Sequence, residues 1–206
     1  MNKIKSNNKP SNISLIIPVY NEEQVLPILM NRLLSLIESF QEFKFEFILI
    51  NDGSEDNSKL LIHDACQNCH FMGIHFSRNF GHQAAVTAGL LHATGDYIAV
   101  IDGDLQDPPE LIPEMLFKMR EVEADVVYGV RTHRKENFFK RSCYFLFYRF
   151  LAFVTPIEIP LDSGDFGIMT RRVVDAINSM PEHHRFVRGL RAYSGFKQIP
   201  LSLIHI

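Results

Sequence analysis

Between Ile13 and Gly129, short apolar runs alternate with stretches of helical periodicity, and this alternation restricts the fold more than any other feature of the chain. Strands are expected at Ile13–Val19, Phe45–Ile50, Phe71–Phe76, Tyr97–Ile101 and Asp125–Gly129. Helices are expected between them, from about Glu22 to Phe40, Ser54 to Cys66, Gly81 to Ala93 and Pro109 to Val122. The first helix carries Val25, Leu26, Leu29, Leu33, Leu36, Ile37 and Phe40 near a 3.6-residue repeat, with Pro27 in its first turns, where proline is tolerated. Serial βαβ units imply an α/β fold: a mostly parallel central sheet with helices on both faces.

Three of these strands end alike, in "SLIIPVYNEE", "FEFILINDGSED" and "YIAVIDGDLQD". In open α/β sheets the carboxyl ends of strands line the ligand crevice, so Asn21, Glu22, Asp52, Asp102 and Asp104 are candidates for one site. Two carboxylates ~4 Å apart repel by about 4 kcal/mol at an effective dielectric near 20, so such a cluster invites a cation or a hydrogen-bonding ligand. The competing explanation is that Asp and Asn simply favour turns and helix caps; it suits Ser54 and Asn57, and it suits Asp107, which precedes Pro108 and Pro109 as turn or N-cap of the next helix. No glycine-rich phosphate loop of the dinucleotide or P-loop type occurs, so a phosphate-bearing ligand would have its charge met by a divalent metal on the aspartates.

With 206 residues, 46% of them hydrophobic, the chain can bury one substantial core. A net charge of -3 gives no reason to expect a nucleic-acid partner. Residues 1–12, "MNKIKSNNKPSN", read as a disordered lead-in without the apolar core of a signal peptide, which places the domain on the cytoplasmic side. Cys66, Cys69 and Cys143 cannot all pair, and although "CQNCH" matches a haem-attachment spacing, a second ligand pair for zinc is missing; incidental thiols are the preferred reading.

The ordered segments "IIPVYNEE", "INDGSEDNS", "RNFGHQAAVTAGLLHATGDYIAVIDGDLQDPPE", "GVRTHRKENFFKR" and "SGDFGIMTRRVVDAI" resemble the family 2 GT-A glycosyltransferases. Within the family they are most similar to the polyprenyl-phosphate sugar transferases, the group of dolichol-phosphate mannose synthase and bactoprenol glucosyltransferase. The resemblance spans a domain over 13–200 and implies inverting transfer of a hexose from a nucleotide-sugar donor, by preference a UDP-sugar, to a polyprenyl phosphate. It implies that Pro18, Tyr20, Asn21, Glu22 and Asp52 surround the donor nucleoside. It also implies that Asp102-Gly103-Asp104 is the D-x-D motif, with Asp102 on the donor and Asp104 with Gln106 holding Mg²⁺ or Mn²⁺, ions that take hard oxygen ligands. Arg131 and Arg141 match arginines of the acceptor phosphate, a role suited to the planar guanidinium fork. Asp165 falls where relatives place an acid facing the acceptor and is expected to orient the acceptor or an arginine. Arg185 and Arg188 are candidate contacts of the departing diphosphate, whereas His183 and His184 read as surface residues. Gly167 departs from the arginine common after this motif.

A phosphate monoester, with a second pKa of about 6, needs little deprotonation before attack. It does need positive charge and access from the bilayer. The segment 131–155 offers both: Arg131, Arg134, Lys135, Lys140, Arg141 and Arg149 lie beside an aromatic stretch, as in an interfacial element facing anionic lipid. Its apolar part, Cys143 to Val154, would make a helix only about 18 Å long against a hydrocarbon core near 30 Å, so it is expected to lie on the cytoplasmic membrane face without crossing it. The alternative for the aromatic stretch is a core helix with snorkelling arginines. Two rival functions stay open: a soluble family 2 enzyme acting on a sugar or protein hydroxyl, for which Asp165 would be an indispensable base, and a non-catalytic nucleotide-sugar-binding fragment. Residues 201–206, the end of "KQIPLSLIHI", read as a truncated tail where relatives continue into transmembrane helices. A homo-oligomer is compatible with the sequence.

Overall fold

The computed structural model of the protein describes residues 10–130, 163–183 and 185–202. In chain order these form β1 (Ser11–Val19), α1 (Leu26–Ser39), β2 (Phe43–Asn51), α2 (Ser58–Ala65), β3 (Phe71–His75), α3 (His82–His92), β4 (Tyr97–Val100), α4 (Leu111–Glu121), β5 (Val126–Val130), β6 (Ser163–Thr170), α5 (Arg171–Ser179), α6 (Val187–Tyr193) and β7 (Gln198–Ser202). The strands make one sheet in the order β3-β2-β1-β4-β6-β5-β7. β1 pairs in parallel with β2 and β4, β2 with β3, and β5 with β7, while β6 runs antiparallel between β4 and β5. This is the expected α/β architecture.

Side-chain alternation along the strands divides the core between the two faces. On one face Ile13, Leu15 and Ile17 of β1 and Phe45, Phe47 and Leu49 of β2 meet Leu26, Leu29, Leu33 and Leu36 of α1, Ile62 of α2 and Met115 and Leu116 of α4. On the other, Ile16, Ile48, Ile50, Ile98 and Val100 meet Val86 and Leu90 of α3 and Val173, Val174 and Ile177 of α5. Each fully buried leucine or isoleucine contributes about 1.5–3 kcal/mol relative to exposure, so the faces lock the helices against the sheet. α3 approaches very closely because of Gly89: a Cβ there would lie 2.3 Å from Ile16 Cγ2.

Several boundaries differ from expectation for a common reason. α1 begins at Leu26 instead of Glu22, and α2 at Ser58 instead of Ser54, because the intervening residues bind each other across two loops. Pro27 does occupy the first turn of α1. β1 begins at Ser11, so Ser11 and Asn12 belong to the sheet and not to a lead-in. Leu201 and Ser202 likewise belong to β7, paired with Gly129 and Val130, and are not tail. The segment 131–155, Cys143 and residues 203–206 lie outside the described residues or, for 1–9, precede them. Among the described residues no helix is long and apolar enough to cross a membrane.

Candidate functional site

The carboxyl ends of β1, β2 and β4 open onto a cavity of about 280 Å³ lined by Pro18, Tyr20, Glu22, Asp52, Asp102 and Asp104, together with Asn79, Gly81 and His82 from the loop leading into α3. The first two strand ends are stitched together. The backbone amides of Asn21, Glu22 and Glu23 donate to the side chains of Ser54, Ser58 and Asp56, and those of Glu55 and Asn57 donate back to Asn21 Oδ1 and Glu23 Oε2, all at 2.8–3.0 Å. Asn21, in the left-handed region at φ 57, thus serves as a brace and is not a lining residue. Asn57 sits at the N-cap of α2 without a side-chain capping bond; its amide nitrogen donates to Glu23 instead.

Asp52 is buried, and its two oxygens accept from the backbone amides of Phe80 and Gly81 at 2.7 and 2.9 Å. It therefore holds the loop that carries Asn79 and His82 against the end of β2. At Gly53, φ is 70 and a Cβ would meet the Arg78 carbonyl carbon at 2.3 Å, so the loop can close only over glycine.

The D-x-D segment shows the same economy of space: a Cβ on Gly103 would lie 2.9 Å from the Pro18 carbonyl. Asp104 Oδ1 accepts from the Gln106 amide at 2.9 Å, and between them Leu105 is held at φ 64, a conformation that costs a branched residue on the order of 1 kcal/mol. Such strain collects where loops are shaped for function. The Gln106 side chain is exposed and outside the cavity lining. Of the two roles expected for Asp107, turn or N-cap, the cap falls to Glu110, while Asp107 lies buried in the bend before Pro108. Glu110 is also clamped by the Arg32 guanidinium at 2.7 Å, tying this loop to α1. Burial pushes the Asp102 carboxyl above its ordinary value, opposed by His82 and reinforced by Asp107, Asp104 and Asp165. Burial and the Asp104 charge do the same to Glu22.

Asp165 projects from β6 with 11% of its side chain exposed. Gln83 Nε2 donates to its Oδ2 at 2.8 Å, His82 Nε2 lies 3.2 Å from the same oxygen, and Arg188 Nε lies 3.8 Å from Oδ1. Burial raises the Asp165 pKa, but the His82 hydrogen bond and the Arg188 charge outweigh it and hold the carboxyl below its usual value. His82 is raised, chiefly by Asp165, and it also faces Asp102 at 3.8 Å. Arg188 thus sits with Asp165 and does not line the cavity. Arg185 is not among the residues lining this cavity: its guanidinium donates to the Asn178 and Met180 carbonyls at the end of α5, at 3.2 and 2.8 Å. Arg191, almost fully buried over the Tyr128 ring, is pushed by desolvation down to about 10. His183 is exposed as expected, and His70 Nδ1 contacts the Phe45 carbonyl at 3.1 Å. Arg131 and Arg141 lie outside the described residues.

Sequence reasoning missed His82 and Gln83. They follow the fourth strand end, β3, whose loop "RNFGHQ" carries no acid and so did not stand out beside the three acidic ones.

Among the described residues no three His, Cys, Asp or Glu side chains form a ready metal cage. Mg²⁺ and Mn²⁺ sites that share substrate phosphates use only one or two carboxylates. Asp104, a hard oxygen donor on the cavity wall beside Asp102, fits that kind of site.

The Glycosyl transferase family 2 profile matches residues 14–177. An uncharacterised glycosyltransferase of Bacillus subtilis, YkcC, is 46% identical over 93% of this chain and 59% of its own. The bactoprenol glucosyl transferase of Shigella phage SfX is 36% identical over 89% of this chain and 60% of its own. The chain therefore spans about three-fifths of the length of these relatives. Among solved structures, the mannosyltransferase PcManGT of Pyrobaculum calidifontis in complex with GDP-Man and Mn²⁺ superposes with a TM-score of 0.65 at 15% identity, over 93% of this chain and 55% of that one. TarS of S. aureus in complex with UDP-GlcNAc superposes at 0.63 with 17% identity, over 92% of this chain and 56% of that one. The fold is GT-A, and the chain belongs to glycosyltransferase family 2.

Proposed function

We propose that the protein transfers a hexose from a nucleotide diphosphate sugar, with inversion, to a polyprenyl phosphate at the cytoplasmic face of the membrane. The observation that carries this reading is the convergence of the β1, β2 and β4 ends, with Pro18, Tyr20, Glu22, Asp52, Asp102 and Asp104, on one cavity. The relatives named bactoprenol glucosyl transferase support the acceptor class, and the UDP-GlcNAc and GDP-Man complexes of fold neighbours support the donor class.

In this reading Pro18, Tyr20 and Glu22 enclose the nucleoside, with Asn21 and Asp52 fixing the walls that hold it. Asp102 contacts the sugar-diphosphate, and Asp104, with Gln106 on the same turn, would hold Mg²⁺ or Mn²⁺. The ion supplies Lewis-acid neutralisation of charge on the diphosphate. An acceptor phosphate oxygen forms the new bond to the anomeric carbon as the bond to the diphosphate breaks, and the electron pair leaves with the diphosphate. Arg188 lies beside Asp165, and Arg131 and Arg141 are assigned to the acceptor phosphate.

The state of Asp165 favours a phosphate acceptor over a hydroxyl. A carboxylate held below its ordinary pKa, with Oδ2 shared by Gln83 and His82, is a poor general base. It is adequate for an acceptor already ionised at pH 7, and there it orients the acceptor or Arg188. Incubating the protein with undecaprenyl phosphate and a panel of UDP- and GDP-sugars tests the proposal. Mass spectrometry should find one hexose added to the lipid phosphate for one donor, whereas transfer only to free sugar or peptide hydroxyls would replace this reading with the soluble alternative.

A further inference from the structure

The antiparallel pairing of β4 with β6 places Tyr97 opposite Thr170 and Val100 opposite Gly167. The pairing ends there; Asp102 follows β4 by two residues, Asp165 precedes Gly167 by two, and the two acids come together around one imidazole, close enough for the Asp165 charge to act on Asp102. Two like charges in one partly buried site disfavour each other, and here both acids belong to the candidate site. The first residue of α3, His82, meets both, at 3.2 Å from Asp165 Oδ2 and 3.8 Å from Asp102 Oδ1. Its neighbour Gln83 donates to Asp165 and accepts from the Val187 amide at 2.8 Å, so the turn is anchored to α6 as well. Asp52 fixes this turn from the other side through Phe80 and Gly81.

We infer that His82 is a positioning residue that joins the donor half of the site to the acceptor half: it offsets the Asp102 and Asp165 carboxylates and fixes the rotamer of Asp165. The inference rests on the proposed function for its catalytic consequence, but its structural content does not. Among the described residues, the charged groups acting on the imidazole are Asp102 after β4, Asp165 on β6 and Asp52 after β2, with Arg188 of α6 3.8 Å from the other oxygen of Asp165. Contacts on both carboxylate oxygens, from Gln83 and His82 at Oδ2 and from Arg188 at Oδ1, leave the orientation of Asp165 defined, and removing His82 leaves Arg188 and Gln83 to hold it alone.

The test compares His82→Ala, His82→Gln and Asp165→Asn with the double variant His82→Ala/Asp165→Asn. His82→Ala should lower kcat by about tenfold to a hundredfold while the calorimetric Kd for the donor changes less than threefold, and His82→Gln, which keeps a donor group, should recover part of the loss. The double variant should be no slower than the worse single variant, because both changes break one unit. Loss of donor affinity with kcat unchanged would make His82 a donor ligand and overturn the inference, as would multiplicative effects in the double variant. A second readout needs no turnover: in an NMR titration the His82 midpoint should fall in Asp165→Asn. A midpoint unmoved by that substitution would overturn the inference even if transfer to the lipid were never detected, whereas a shifted midpoint without transfer would overturn only the proposed reaction.

Discussion

At Asp165, burial and three polar neighbours compete for one proton, and the neighbours win. A lowered carboxyl contributes stability above its unfolded value near 3.9, and this is lost as pH falls through the folded value. His82 is raised, so its contribution is complete below about 6.5 and fades as pH climbs through its folded value. The pair therefore stabilises the fold most between roughly pH 4 and 6.5. Urea unfolding of the protein and of His82→Gln should show a larger stability margin for the native residue at pH 6 than at pH 9; equal margins would mean the pair is not ionic in solution. Residue legibility followed charge. Asp102 and Asp104 stood out because acids after an apolar strand demand an explanation, and the cavity includes both. His82 brings an imidazole to a strand end with no acid, and nothing local announces that β6, far along the chain, will place Asp165 beside it. For Asp107 the turn before two prolines was legible, whereas its burial shows only in the packing.

The elements divide between those with a strong period and those without. α1 was legible because one stripe of leucines faces the sheet, and Leu26, Leu29, Leu33 and Leu36 are the residues buried. β6 and β7 were not: "SGDFGIMT" mixes two glycines and an acid into its strand, and "QIPLS" is short and proline-bearing, so both depend on neighbours for their hydrogen bonds. The helix starts were placed a turn early because loop-to-loop hydrogen bonds use the residues that would otherwise cap. α3 gives the sharpest test at this scale. Gly→Ala inside a helix ordinarily gains up to about 1 kcal/mol, but at Gly89 the new methyl would press on Ile16 and Ile50 in the middle of the sheet. Overpacking of this kind costs about 1–3 kcal/mol, so Gly89→Ala should be destabilised in denaturant unfolding and should weaken the site that α3 carries. An increase in stability would show that α3 can lift without cost.

At the scale of the sheet, six strands among the described residues point one way and deliver their carboxyl ends to one edge, and the reversed β6 brings Asp165 to that edge from the other direction. The serial βαβ reading captured this direction and hence the location of the crevice. It did not reach the antiparallel insertion, because pairing between β4 and β6 joins residues some 70 positions apart and no local pattern records it. The central claim is that these ends together form a metal-assisted nucleotide-sugar pocket, and calorimetric titration with UDP-glucose, UDP-GlcNAc and GDP-mannose tests it directly. At least one donor should bind in Mn²⁺ with an affinity that drops tenfold or more in chelator, and Asp104→Ala should bind equally weakly in both conditions. Binding of the native protein that is as tight in chelator as in Mn²⁺, or no binding of any donor, would contradict the account.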